Sequence, residues 1–431
     1  MMRNGIPALA IWALGVTQVI GYGTLYYSFS VLAPPIGREF GWSSEWIYAA
    51  LTVALLAGGL LAPLAGHLAD RFGAARVMAF GSIGAAATLA LAALSTNGIA
   101  YSAALVATEI ASSFVLYSAA FAALVQASGQ NAQRSITHLT LIAGFASTIF
   151  WPFTTLLLGW MDWHSVYLVF AALNLLVCAP LHLWLVRLRT AQVTEVVTSL
   201  KVDEGPVTGS LRGQGRTMGF ALMIIGFAVE GFIISATLMQ IIPLLSGLGL
   251  QDNMWLVTTL FGPAQVLSRL TNMVLGNNLL SSRLAVIAAS FLPLGLATVA
   301  FSAPSLLGAV LFAILFGLGS GLISIVSGSL PLQLLGRENY GTRLGWISSA
   351  RQIASAVSPF CLALLMSRFG VAGGVWAMSG LGLVAVTAFA AIAMLPRASV
   401  PARPLADDEQ EASMLRSSVG SSGSTGSTSR P

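Results

Sequence analysis

The chain has 431 residues, of which 8% are charged and 56% hydrophobic, with a formal net charge of +5 and a mean hydropathy of +0.84. About 25% of the residues of a soluble protein are charged, so twenty basic and fifteen acidic side chains cannot cover a water-soluble body of this size. That excludes a soluble enzyme, a disordered chain and a nucleic-acid binder, and leaves an all-α, polytopic membrane protein.

A membrane-spanning helix needs about 20 mostly apolar residues. The stretch at about 8–33, after Arg3, is too long for the apolar core of a signal peptide and reads as a first span that also directs insertion. It carries Tyr22, Tyr26 and Tyr27. Spans follow at about 45–65, 77–95, 99–127 (with Glu109 and Tyr117), 136–159 (with His138) and 163–187. A polar break from Leu188 to Arg216 comes next. Beyond it lie spans at about 217–245 (with Glu230 and Gln240), 252–276 (with Arg269), 283–302, 304–330, 344–367 (with Arg351 and Gln352) and 370–395. The pattern predicts twelve transmembrane helices in two six-helix bundles, 1–187 and 217–395, joined by a linker at 188–216. The remainder, 396–431, holds an acidic run and then a Ser/Gly/Thr stretch; it cannot bury a core and is expected to be disordered.

Arginine placement orients the chain. With the N-terminus inside, sixteen of the twenty basic residues fall on the inner side, and only Arg38 and Arg368 on the outer. Such a bias predicts a multi-pass protein of the cell membrane, a bacterial inner membrane, with linker, tail and both termini in the cytoplasm. Trp42, Trp46, Trp160, Trp163 and Trp255 fall near outer ends, where an aromatic belt would stand.

Between spans two and three lies Gly66-His67-Leu68-Ala69-Asp70-Arg71-Phe72-Gly73-Ala74-Ala75-Arg76. Gly66 and Gly73 permit a tight turn and close helix approach. Asp70 precedes the positive N-terminal end of the third helix, and Arg71 and Arg76 hold the loop at the inner surface. This G-x-x-x-D-R-x-G-x-x-R pattern, in the inner loop of a six-plus-six chain, resembles the signature loop of the major facilitator superfamily. The resemblance spans about 8–395. It implies the fold of that family and a latch between the two halves formed by Gly66, Asp70, Arg71, Gly73 and Arg76. Its halves being repeats, an echo is expected between spans eight and nine. Gly276 to Arg283 is there, 210 residues on, but Leu280 stands in the place of Asp70, so the latch should be asymmetric.

Four ionisable groups fall inside spans, where each costs roughly 2.5–3.5 kcal/mol even on a lenient scale and so faces a cavity or a partner. Arg269 and Arg351 stand at similar depths in spans eight and eleven, in segments mixing small and polar residues. A guanidinium fork matches a carboxylate with two bonds. The pair resembles the oxalate–formate antiporter and monocarboxylate branch, and the resemblance implies that these two cations hold substrate carboxylates. Tyr22, Tyr26, Gln240 and Gln352 are further candidates for binding a polar solute. Glu109 and Glu230 can carry protons or partner a buried arginine, and His138 could relay protons.

The single lysine, Lys201, lies in no phosphate-binding loop, so no ATPase is expected. Histidines and cysteines are too dispersed for a metal or haem centre, and no cofactor is expected. The reading is a non-enzymatic secondary transporter of a small organic anion, a mono- or dicarboxylate, working by alternating access with proton symport or anion exchange. The rival readings are a proton-coupled exporter of drugs or metalloids and a non-transporting sensor on the same scaffold. The expected partners are the small-molecule solute, the lipid bilayer, and protons or a counter-anion. No nucleic acid is expected, and the chain is expected to act as a monomer.

Overall fold

The computed structural model describes residues 5–128, 131–198, 209–276 and 279–396. The disorder expected of 396–431, and residues 199–208 of the charged linker, therefore lie outside the described residues. The described residues form helices without strands. Among the described residues, ten helices are long and apolar enough to cross a membrane. They are α1 (Ala8–Phe40), α2 (Glu45–Phe72), α3 (Ala74–Ala93), α4 (Gly98–Ala127), α5 (Ala132–Leu158), α6 (Trp163–Leu188), α7 (Gln214–Met239), then, after an intervening helix α8, α9 (Ser281–Ser302), α10 (Leu306–Leu335) and α11 (Tyr340–Met394). The intervening α8 (Met254–Leu275) has 22 residues but holds Gln265, Ser268, Arg269 and Asn272 and falls short in apolarity.

The twelve expected spans differ from these ten at two places. One is α8. The other is α11, whose 55 residues would run about 80 Å if straight, more than twice a bilayer core. Gly370 breaks it, with φ 75° and ψ 167°, where the sequence puts the boundary between its last two spans. The linker expected from Leu188 begins as helix, since the sixth helix continues to Thr198.

Four buried clusters make the core. At the end holding the α2–α3 turn, one joins α1, α3, α4 and α5 to Leu332 of α10 and to Tyr340 and Leu344 of α11, and a second joins α7, α9, α10 and α11. At the opposite end the clusters stay apart. One is drawn from residues between Leu25 and Ala171, the other from residues between Ile233 and Met378. Among the described residues the halves thus share apolar core at one end only, here called the latch end.

The expected aromatic belt is partly replaced. Trp46, Trp160 and Trp255 are exposed, as anchors would be. Trp163 is instead buried: it donates to Glu39 Oε2 at 2.6 Å and packs edge-on against Phe40, Tyr101 and Tyr167. Trp42 joins the same cluster. Length and hydropathy locate a helix end but do not tell a ring facing lipid from one facing a neighbouring helix.

Candidate functional site

Three helices of the first half are interrupted at mid-depth. In α1, Gly23–Tyr27 form one π-helical turn, which re-aims the tyrosines that follow Tyr22. Buried Asn174, itself in a π turn of α6, donates to Thr24 Oγ1 at 2.9 Å and holds the distortion in place. In α4 the helix lapses between Ser112 and Tyr117. Gln18 of α1, fully buried, donates to the freed Val115 carbonyl at 2.7 Å. In α5 the lapse falls at Gly144 and Phe145. Broken helices at this depth occur where backbone lines a cavity or packs on protein.

These breaks gather aromatic rings. Tyr22 and Tyr117 lie 4.6 Å apart between centroids, Tyr26 and Tyr27 5.2 Å, and Tyr27 and Trp151 5.9 Å. The Trp151 indole donates to the Tyr27 carbonyl at 3.2 Å. Tyr26 is 46% exposed although it belongs to a spanning helix.

Arg269 of α8 reaches this cluster. Its Nε donates to Ser324 Oγ of α10 at 3.1 Å, and its Nη1 lies where a Cβ on Gly144 would fall. The residue is 6% exposed, yet Nη1 is buried with no hydrogen-bond partner among the described residues. Arg351 of α11 packs its Cγ on Gly231 of α7. Both guanidinium charges act on Tyr27 and Tyr117, and that of Arg351 also on Tyr22 and Tyr26. The charges of both arginines, carried by the second half of the chain, are thus felt at one tyrosine cluster.

Glu230 is fully buried on α7, and neither carboxyl oxygen has a hydrogen-bond partner among the described residues. Arg351 is the cation it feels. Glu109, also buried, has Ser112 Oγ at 3.4 Å from Oε2. The ion pairs within 4.0 Å among the described residues, His164–Glu39 and Arg216–Glu338, include none of Glu109, Glu230, Arg269 and Arg351.

Other candidates lie elsewhere. Gln240 ends α7 and donates to the Pro359 carbonyl at 3.1 Å, pinning α7 to α11. Gln352 sits in the α2–α11 contact, beside Gly58 and Gly59. His138 is exposed near the latch end, its Nδ1 2.7 Å from the Arg134 carbonyl.

The loop motif departs from its local reading. Because α2 runs to Phe72, Asp70 lies in its last turn and does not cap α3, whose N-cap Gly73 has no side-chain bond. Asp70 instead accepts from the Gly341 and Thr342 amides at 2.8 and 2.7 Å and from Thr342 Oγ1 at 2.7 Å. The carboxylate thus sits on the positive N-terminal end of α11, across the two halves. Gly66 and Gly341 touch backbone to backbone at the same contact. Arg71 and Arg76 are exposed, Arg71 over the Phe72 ring at 5.2 Å.

Sequence reasoning missed Gln18, Asn174 and Ser324. Each is a polar side chain within an apolar run, a signal present in the sequence but read only for charged groups.

The profile of the Major Facilitator Superfamily matches residues 14–359. No curated protein matches. Among solved structures, the human organic anion transporter MFSD10 (TETRAN) is similar at 15% identity, covering 90% of this chain and all of its own, with a TM-score of 0.66. The proton:xylose symporter XylE, solved with 6-bromo-6-deoxy-D-glucose, is similar at 15% identity over 90% of this chain and 97% of its own, with a TM-score of 0.67.

Proposed function

Since this chain belongs to the major facilitator superfamily and has the multi-pass fold of its secondary transporters, we propose that it moves a small organic anion by alternating access, in symport with protons. Orphaned Arg269 Nη1 carries the reading. A buried guanidinium nitrogen without a partner is costly to leave so. Here it lies against Gly144, where α5 lapses, and its charge, like that of Arg351, acts on Tyr27 and Tyr117. A carboxylate bound there takes the two-pronged donor set that Arg269 leaves open, and the tyrosine rings and hydroxyls flank it. Arg351 supplies the second cation, or the first for a dicarboxylate. Glu230 and Glu109 are the proton carriers of this scheme: buried carboxyl groups without an ion-pair partner, one of them beside Arg351. The six-plus-six division, twelve crossings and a cytoplasmic latch end belong to the same proposal, and the arginine bias supports them. The fold neighbours include one organic anion transporter and one proton symporter. At 15% identity they speak to fold, so the arginines support the substrate class.

The test is uptake of labelled mono- and dicarboxylates into proteoliposomes under an imposed proton gradient. Arg269→Gln should raise KM by about 10-fold or more, the order of losing one charge-assisted bond pair, and Arg351→Gln should lower uptake of dicarboxylates more than of monocarboxylates. Unchanged uptake in both variants overturns the anion site.

A further inference from the structure

Helix α8 packs on the latch-end part of α5, Ala132–Ala143. Gly144, the next residue, has Arg269 Nη1 in the place a Cβ would take. From there towards the opposite end, α5 carries two exposed stripes about 100° apart around its axis. One is Phe145, Ile149, Pro152 and Leu156, apolar throughout, as a stripe facing lipid is. The other continues the Gly144 face through Thr148, Trp151 and Thr155. Gly144 and Phe145 keep right-handed helical angles, so the register carries through the lapse. Because Gly144 meets a residue of the second half, this polar stripe faces the cleft between the halves. Trp151 stands 49% exposed on it, about 10 Å along α5 from Gly144.

The facing helix leaves room there. Gly262 lies on the same face of α8 as Arg269, two turns nearer the opposite end, and no atom stands within 4 Å of where its Cβ would be. Tyr26 of α1 adds a second uncovered ring. It is 46% exposed, and it feels Glu109 of the first half and Arg351 of the second, which places it between the halves. Tyr27 bridges the two, edge-on to Tyr26 and to Trp151 at 84° and 80°. The cleft thus holds a cation with an unfilled nitrogen and, two turns away, two uncovered aromatic rings across from open space.

We propose that Trp151, with Tyr26, selects an aryl carboxylate, an aromatic ring joined to its carboxylate by a short aliphatic spacer. The carboxylate sits on Arg269 and the ring packs against Trp151. This inference rests on the anion reading of Arg269 and narrows it. A one- or two-carbon acid is too short to touch both groups. An aromatic guest covers the exposed ring surface and gains edge-to-face or offset pairing beyond the area it buries.

The experiment is equilibrium binding of radiolabelled hydrocinnamate to the full-length protein in detergent, competed by propanoate and by cyclohexylpropanoate. The competitors keep the carboxylate and spacer, and lose the ring or only its aromaticity. Hydrocinnamate should bind roughly 10-fold or more tighter than propanoate, and roughly 2–10-fold tighter than cyclohexylpropanoate. Trp151→Leu should abolish the preference for the aromatic over the saturated ring. Trp151→Phe keeps a ring but loses the hydrogen bond to the Tyr27 carbonyl, and should retain most of that preference. Tyr26→Leu leaves that bond in place and should weaken hydrocinnamate more than cyclohexylpropanoate. Cyclohexylpropanoate binding as tightly as hydrocinnamate, or an undiminished preference in Trp151→Leu, overturns the aryl selection; the anion reading then stands if Arg269→Gln weakens all three acids. Binding of none of the three, or equal binding by the parent and Arg269→Gln, overturns both.

Discussion

Two single residues at the central cluster separate binding from coupling. A methyl group on Gly144 would fall on Arg269 Nη1, so Gly144→Ala must displace the guanidinium without touching its charge. Overpacking costs about 1–3 kcal/mol, which, directed onto the bound anion, is roughly 5–150-fold in affinity. The expected result is a raised KM with kcat nearly unchanged, the pattern of lost uniform binding; a wild-type KM in uptake assays would remove Arg269 from the site. Glu230→Gln keeps the shape of the side chain and removes its ability to cycle a proton. Because the carboxyl has no hydrogen-bond partner among the described residues to lose, the variant should fold as well as the parent. It should still exchange labelled for unlabelled anion while losing accumulation driven by a proton gradient. Retained gradient-driven accumulation would assign Glu230 a purely structural place.

At the scale of helices, capping yields a prediction outside the membrane spans. Asp162 precedes α6 and accepts from the Ser165 amide at 2.8 Å, which, with the Ser165 hydroxyl, holds its carboxyl below the usual carboxylate range. A depressed folded value means stability that is complete above the unfolded value of about 3.9 and lost as pH falls through the lower folded value. Asp162→Asn keeps a good cap but cannot titrate, so it should flatten the acid side of the unfolding-temperature profile while matching the parent at neutral pH. Asp162→Ala should cost about 0.5–1 kcal/mol at neutral pH, the low end for an exposed cap. Equal acid limbs for parent and Asn variant would refute the assignment. The helices themselves were legible in sequence because a run of apolar residues is a local property. Their interruptions were not. The lapse in α4 depends on Gln18 of α1 reaching Val115, and the π turn of α1 on Asn174 of α6. These are choices of hydrogen-bond partner made between helices 97 and 150 residues apart in sequence, invisible to any window along the chain. Arg269 and Arg351 were legible because charge in an apolar span is expensive; Asp70's true partner was not, because the α2 helix runs to Phe72, about two turns beyond the span its hydropathy suggests.

For the whole molecule, the latch end holds the halves together in two ways. Apolar core crosses there, and α2 meets α11 backbone to backbone, with Gly345 against Ala62 and Pro63 as Gly66 is against Gly341. Ser118 and Ser348 add a hydroxyl pair at 2.6 Å. The opposite end has no shared core cluster among the described residues. The molecule is thus caught closed at the latch end, and the alternating access proposed for it would require the α2–α11 seam to part. Two changes should part it by different physics. Asp70→Ala removes three accepted bonds at the α11 terminus. At about 1–2 kcal/mol for a charged cap, it should shift the closed-to-open ratio roughly 5–30-fold. Gly345→Leu places a side chain against α2 backbone atoms that cannot yield, and should open the seam without altering any charge. Spin labels on the latch-end turns of α2 and α11 should report a longer distance for both variants, and cysteines placed in the seam should become reactive from that side. High salt separates the two causes. It screens the exposed fringe of the Asp70 interaction and should bring the parent part of the way towards Asp70→Ala, while leaving Gly345→Leu where it stands. A Gly345→Leu protein that keeps the parent's label distance and transport rate would show that the seam is not the moving contact.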